Sequence, residues 1–333
     1  MMTIQNNPPR QLITSVTSGL CNRLWVLACA LRLADQCGRQ VRLLWLQRTG
    51  RVGLPYEGDE ASTLEDFFLP DIEGLASVES CTTTPDLPEN AVGLDFSDVH
   101  ALTLARQAGN PQEITPELVA KATGPRVLDV RDPQVAATAD VWINLSTMPV
   151  GGPGDGMERF ATYPDQLGQN HKDAFLASLS TYVRRLQLRP TEQQIVTRLV
   201  ASMRNAPGGA RLVGIHVRAT DLKQRSAVNR NMHLANIIHQ LICTPGQGAR
   251  VFLASDSETW LTDFMQTWVR PQARAAITTY DNPIKYENSV AGSRAAVVDL
   301  YTLAACDRIY GTAGSSFSSY AWLVSDAEFW IHS

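Results

Sequence analysis

The second half of the chain alternates strand-like runs with helical periodicity, and that rhythm limits the fold more than any other feature. Val213, Ile215 and Val217 are β-branched residues at alternate positions, with Arg211 and Leu212 extending the run, and a Pro-Gly-Gly loop signal precedes it. After it come a helical pattern at Asn231 to Cys243, a strand at Arg250 to Ala254, a helix at Glu258 to Trp268 and a strand at Ala275 to Thr279. A helix at Arg294 to Cys306, a strand at Arg308 to Tyr310, a helix from Ser315 through Val324 and a strand near Glu328 to Ile331 complete the series. Such β-α alternation calls for a parallel sheet wrapped by helices.

The first half opens the same way. Gln11 to Val16 predicts a strand, followed by a helix to Gln36 on which Leu24, Leu27, Ala28 and Leu31 form one apolar stripe, while Arg32, Asp35 and Gln36 lie off it. Gly38 suits the position just past the helix end, and Val41 to Leu46 predicts the second strand. Leu64 to Leu69 reads as a short helical turn. Further strands are expected at Ala91 to Leu94, Val127 to Val130 and Val141 to Leu145, and Val150 to Gly156 is the strongest loop punctuation. Two helices follow, His171 to Leu186 and Thr191 to Met203, with Pro190 marking the break between them. The expected division is a first domain over 1–165 and a second over 166–333.

Composition narrows the function. With 333 residues, 44% apolar and 19% charged, the chain has material for two sizeable cores. A net charge of −4 argues against broad binding to nucleic acid or acidic membranes. No stretch approaches the roughly 18 uninterrupted apolar residues of a membrane span, and Met1 to Arg10 lacks a signal-peptide layout, so a cytoplasmic protein without a membrane span is expected. The six cysteines form no CxxC pair and are read as buried free thiols.

Two stretches carry chemistry. The first, Val213 to Lys223, is an apolar run ending in His216, Arg218, Thr220, Asp221 and Lys223. In an open parallel sheet, ligands gather outside the carboxyl ends of strands, which would put Arg218, Thr220 and Asp221 at such a crevice. A surface turn with an Arg–Asp ion pair is the plainer alternative. The second, Asp307 to Tyr320, pairs a short strand with a flexible Gly311-Thr-Ala-Gly314 turn and a helix starting at Ser315. Free backbone N–H groups at that helix start, flanked by Ser315 and Ser316, suit a phosphate, although ordinary N-capping by either serine needs no ligand. Asp256 follows a strand, and Asp299 stands alone in an apolar helix, where a carboxylate must be paired. Asp299 is open to binding a nucleotide hydroxyl, orienting Arg218 or capping a loop. Asn22 and Arg23, after the first strand, stand either at a cleft mouth or as a helix-start residue and a solvated cation.

These residues carry a resemblance. His216-Val-Arg-Ala-Thr-Asp221 resembles the His-x-Arg-x-Thr-Asp motif of the core α1,6, nodulation and protein O-fucosyltransferase superfamily. Gly19-Leu-Cys-Asn-Arg23 is similar to that group's N-terminal motif, and Asp299 followed by Gly311-Thr-Ala-Gly-Ser-Ser316 to its C-terminal signature. The resemblance implies a GT-B-like α/β fold, two facing Rossmann-like domains with the active site in the cleft between them. It implies transfer of fucose from a GDP-fucose donor to a glycan or glycoconjugate acceptor, with inversion and with no metal or cofactor. Arg218 would contact the β-phosphate, and Asn22 would sit near the reacting sugar. Asp256, Asp299, Ser315 and Ser316 would hold the nucleotide and phosphates, with Gly19, Arg23, His216, Thr220, Lys223, Gly314 and Phe317 completing the binding set. Nucleic acid is not an expected partner.

The chemistry fits a bond cleavage that leaves negative charge on a diphosphate, because Arg218 is a permanent, forked cation and the helix start adds N–H donors. The sequence departs from the core α1,6 pattern at two points. Ala219 stands where a second arginine would follow Arg218, with Lys223 and Arg225 the nearest cations, and Ser226 stands in the region of the proposed carboxylate base. Asp221 beside Arg218 should have a depressed pKa and act as a positioning group rather than a strong base. Another nucleotide-sugar donor, or a silent nucleotide-sugar-binding scaffold, remain the alternative readings.

Overall fold

The computed structural model describes residues 10–16, 19–46, 62–81, 92–95, 105, 112–123, 140–145, 174–206, 211–219, 227–244, 248–286, 289–313 and 315–332. The chain divides into two compact units. One takes Met1–Glu65, Leu69–Ala161 and Thr181–Leu186, and the other takes Asp66–Phe68, Thr162–Ser180 and Gln187–Ser333.

The first unit contains strands β1 (Gln11–Val16), β2 (Gln40–Leu46), β3 (Leu75–Cys81), β4 (Val92–Asp95) and β5 (Asp140–Leu145), with helices α1 (Leu20–Gln36) and α2 (Pro116–Thr123). The strands form one sheet in the order β3-β2-β1-β5-β4, every pairing parallel. The stripe on α1 is fully buried at Leu24, Leu27, Ala28 and Leu31. Arg32 differs from expectation: it is also buried, at 8% exposure, whereas Asp35 and Gln36 face solvent. Gly38, at φ 62°, supplies the left-handed turn that ends α1.

Two elements of this unit have no strong signal in the sequence. The strand β3 has polar residues at half its positions, and Arg42 of β2 forks onto Glu79 of β3 at 2.7 and 2.9 Å. The short helix α2 begins where the Thr115 hydroxyl accepts the Leu118 N–H at 3.1 Å. The expected strand at 127–130 and the loop at 150–156 lie outside the described residues.

The second unit follows the predicted alternation. Helix α3 (Ala174–Val183), whose last three residues count with the first unit, and α4 (Pro190–Arg204) precede β6 (Leu212–Val217), α5 (Ala227–Cys243), β7 (Arg250–Ser255) and α6 (Glu258–Thr267). Then come α7 (Pro271–Arg274), β8 (Ile277–Thr278), α8 (Val290–Ala304), β9 (Arg308–Thr312), α9 (Ser316–Val324) and β10 (Glu328–His332). The sheet order is β10-β9-β6-β7-β8, again wholly parallel. All six residues of β6 are buried, as a central parallel strand covered on both faces should be.

Boundaries shift where caps override propensity. Pro190 opens α4 as its first residue, a place that tolerates a missing N–H. The helix α8 starts four residues before the predicted Arg294, because Ser289 accepts the Gly292 N–H at 3.0 Å and outweighs the poor helix propensity of Gly292. The strand β8 keeps two residues because Ala275 ends α7. All six cysteines are free, but Cys243 is exposed and Cys37 and Cys81 are half-buried, so the expectation of burial holds for Cys21, Cys29 and Cys306. Among the described residues no helix is long and apolar enough to cross a membrane.

Candidate active site

A parallel sheet gathers the carboxyl ends of its strands on one edge. In the second unit that edge presents Arg218 and Ala219 after β6, Asp256 after β7, Thr312 at the end of β9, Ser315 at the start of α9 and His332 at the end of β10. The backbone there is held from both sides. The Arg218 N–H donates to the Thr312 hydroxyl at 3.0 Å, and that hydroxyl donates to the His216 carbonyl at 2.9 Å. The Ala219 N–H donates to Asp256 Oδ1 at 2.6 Å. Arg218 thus projects from a fixed point, which a charge-stabilising cation requires.

His216 lies behind this edge, at 4% exposure. Its Nδ1 is 2.7 Å from the Ser318 hydroxyl, which itself accepts the Thr312 N–H at 3.1 Å. Ser318 thus ties the His216 ring to the backbone of Thr312, with the ring tautomer setting which of the two side chains donates. Phe317 stacks on the ring, with centroids 4.7 Å apart. Burial lowers the pKa of His216 to about 3, with the charges of His332 and Arg218 adding to the effect. His332 is also buried, donates from Nε2 to the His216 carbonyl at 2.8 Å, and is held at about 4, chiefly by burial. Both rings are neutral at pH 7 and brace the end of β6.

The start of α9 has a different character. Ser315 occupies the N-cap position, yet its side chain makes no capping hydrogen bond. It is 1% exposed, and its hydroxyl is buried with no partner. Capping, the plainer reading, is therefore not what this serine does. Ser316, next to it, is half-buried. Gly311 lets α9 approach so closely, since a Cβ there would stand 2.7 Å from both Phe329 Cζ and Ser318 Cβ.

Asp299, on α8, is 3% exposed. Its Oδ2 accepts from Lys285 Nζ at 3.0 Å, and Lys285, with a side chain 2% exposed, also donates to the Tyr280 carbonyl at 2.8 Å. Asp299 thus pairs with Lys285 and not with Arg218. Its second oxygen, Oδ1, is buried without a partner. Burial pushes the Asp299 pKa up to about 6, against the pull of the Lys285 ammonium.

The whole chain has solved counterparts. NodZ α-1,6-fucosyltransferase soaked with GDP-fucose superposes with a TM-score of 0.55 at 17% identity, over 95% of this chain and 93% of its own. The same enzyme from Bradyrhizobium gives 0.53 at 16% identity, over 96% and 94%. POFUT1 in complex with GDP-fucose gives 0.51 at 12% identity, over 98% and 99%. The fold is GT-B. The likeness is one of fold, since the sequence matches no protein-family model and no curated protein.

The GT-B frame puts the remaining expected residues in separate places. In the first unit, Gly19 is the N-cap of α1 and its carbonyl accepts the Arg23 N–H at 3.2 Å. Asn22 is half-buried in the first turn of that helix. Arg23 is not a solvated cation: it is 1% exposed, with its guanidinium 4.8 Å from the centre of the Trp45 ring. Thr220, Asp221, Lys223 and Gly314 lie outside the described residues. Among the described residues no group of three or more His, Cys, Asp or Glu side chains is arranged to hold a metal ion. Sequence reasoning missed Lys285, Thr312 and Ser318. Lys285 and Asp299 are 14 residues apart, and the signal that pairs them is weak: a lone lysine beside aromatic residues and a lone carboxylate in an apolar helix.

Proposed function

We infer that this GT-B chain is a glycosyltransferase that moves fucose from GDP-fucose to a glycan or glycoconjugate acceptor, inverting the anomeric centre without a metal. The observation that carries the reading is the buried Ser315 hydroxyl, which has no protein partner at the start of α9. A buried hydroxyl without a partner costs stability unless a ligand completes it, and a helix start favours an anion. Support also comes from fold counterparts whose structures hold GDP-fucose or GDP.

In this reading the donor's diphosphate lies along the start of α9, held by Ser315, Ser316 and the Gly314 turn. Asp299 Oδ1 accepts from the nucleotide, and Arg218 faces the β-phosphate. As the acceptor hydroxyl attacks the anomeric carbon from the opposite face, the bond to the β-phosphate oxygen breaks, its electron pair stays on GDP, and the hydroxyl proton is released to solvent. Arg218 meets that charge with a fork that cannot lose its proton. Asp256 positions the Arg218 loop, Asp221 positions the acceptor, and Asn22 serves the reacting sugar.

The test is thermal shift with GDP-fucose, GDP-mannose, GDP, UDP-glucose and ADP, on wild type and Arg218→Ala, followed by release of free fucose from GDP-fucose without acceptor. The expected result is guanine-selective stabilisation, about 2.7 kcal/mol at a hundredfold excess over Kd, with fucose release in wild type and about a thousandfold less in Arg218→Ala. Folded protein that no nucleotide stabilises would end the reading. Binding without any fucose release would favour a silent nucleotide-sugar binder, the reading to which Ala219, in place of a second cation, lends weight.

A further inference from the structure

One cation of the second unit keeps two buried donors without a hydrogen-bond partner. Arg230 lies in the first turn of α5, the helix that follows the β6 edge. A crossover helix in a parallel sheet starts at the edge where its strand ends, so Arg230 belongs to the same edge as Arg218. Its Nε and Nη2 atoms are buried and have no hydrogen-bond partner. Its neighbour Asn231, 6% exposed, shows that the turn is fixed: Asn231 Oδ1 accepts the Trp260 indole N–H at 3.2 Å, tying the start of α5 to α6.

A guanidinium stays charged in a protein, so burying two of its donors without acceptors is a cost the ligand-free protein carries. Burial lowers the pKa of Arg230, and Asp256 is near enough to act in the opposite sense. Asp256, however, has given Oδ1 to the Ala219 N–H. On its other side the charge of Arg230 reaches His332, which is neutral and whose Nδ1 is also without a partner. Among the described residues, then, no acceptor meets these two donors.

We propose that Arg230 is a second diphosphate-binding cation of this edge, its unpartnered Nε and Nη2 donors completed by the phosphoryl oxygens of a nucleoside diphosphate. It shares that edge with two other features that await a polyanion, the Ser315 hydroxyl and the start of α9. The fork of Arg230 takes two oxygens at once, which a lysine would not do. The proposal rests on reading the edge as a site for a nucleotide diphosphate, but the nucleoside is not part of what Arg230 recognises.

Calorimetric titration with GDP, GMP and inorganic pyrophosphate, together with melting of the ligand-free protein, on wild type, Arg230→Met and Arg230→Lys, tests it. Arg230→Met should melt at or above wild type without ligand, since a buried unpartnered charge is gone. Its Kd for GDP and for pyrophosphate should rise about tenfold to a hundredfold, the loss expected for charged hydrogen bonds. GMP should be affected less, and Arg230→Lys should fall between the two. If wild type binds pyrophosphate with no preference for guanine nucleotides, the GDP-fucose reading fails while Arg230 stands or falls on pyrophosphate alone. Unchanged affinity for both diphosphates in Arg230→Met, or no diphosphate binding by wild type, overturns the proposal. A variant that is less stable without ligand yet binds normally overturns it too, because that is the signature of a purely structural arginine.

Discussion

Replacing Lys285 with methionine should destabilise the second unit by an amount that depends on pH. The two side chains of the Lys285–Asp299 pair are 2% and 4% exposed, so neither charge has solvent to fall back on. Removing one partner of a buried ion pair costs about 3 to 5 kcal/mol, and in a unit of this size each kcal/mol lowers Tm by about 2 to 4 °C. Near pH 8 the expected loss in Tm is therefore about 6 °C or more. Asp299 has a pKa raised from 3.8 to about 6. The folded state thus holds that proton more tightly than the unfolded state. The associated stability is fully present below the unfolded value and is lost as pH rises through the folded one. Without Lys285 the pull that restrains this rise is gone, and the loss extends to higher pH. The gap between wild type and Lys285→Met should accordingly be widest at pH 8 and shrink towards pH 5, where a protonated Asp299 needs no ammonium. Melting both proteins from pH 5 to pH 8 reads it directly. A gap that is constant, or wider at pH 5, would refute the assignment of Asp299 as a buried, ionised partner of Lys285.

Gly311→Ala should cost about 1 to 3 kcal/mol by overpacking, because the new methyl would stand 2.7 Å from Phe329 and Ser318; urea unfolding at wild-type stability would count against so close an approach of α9. Ser315→Ala removes a hydroxyl that has no partner in the protein, so Tm without ligand should hold or rise slightly. Its affinity for GDP should nevertheless fall about tenfold by calorimetry, and an unchanged Kd would remove Ser315 from the phosphate site.

Much of the architecture is legible in the residues. The stripe of Leu24, Leu27, Ala28 and Leu31 is buried as its spacing requires, and the β-branched alternation of Val213, Ile215 and Val217 lies at the centre of the second sheet. Local caps explain the main shifts, at Pro190, Ser289 and Ala275, since a single hydrogen bond or a fixed φ at a helix end outweighs the propensity of the residues beside it. The edge strand β3 is nearly invisible in sequence because one sheet neighbour leaves it half-exposed and free to carry polar residues.

Periodicity and residue type determine by themselves that this chain makes two parallel α/β units with polar groups at strand ends, because apolar burial is a local, repeating demand. Which polar groups are satisfied is decided in tertiary structure. The sequence does not distinguish Asp299 pairing with Lys285 from Asp299 orienting Arg218, nor a capping Ser315 from one whose hydroxyl is left without a partner. It gives no sign that two donors of Arg230 are buried without an acceptor while Arg23 lies against Trp45. Hydrogen bonds reach about 3 Å and depend on direction. Partners 14, 96 and 102 residues apart, such as Lys285 and Asp299, Thr312 and His216, or Ser318 and His216, therefore meet through the packing of whole strands and helices and not through any signal in their own neighbourhoods.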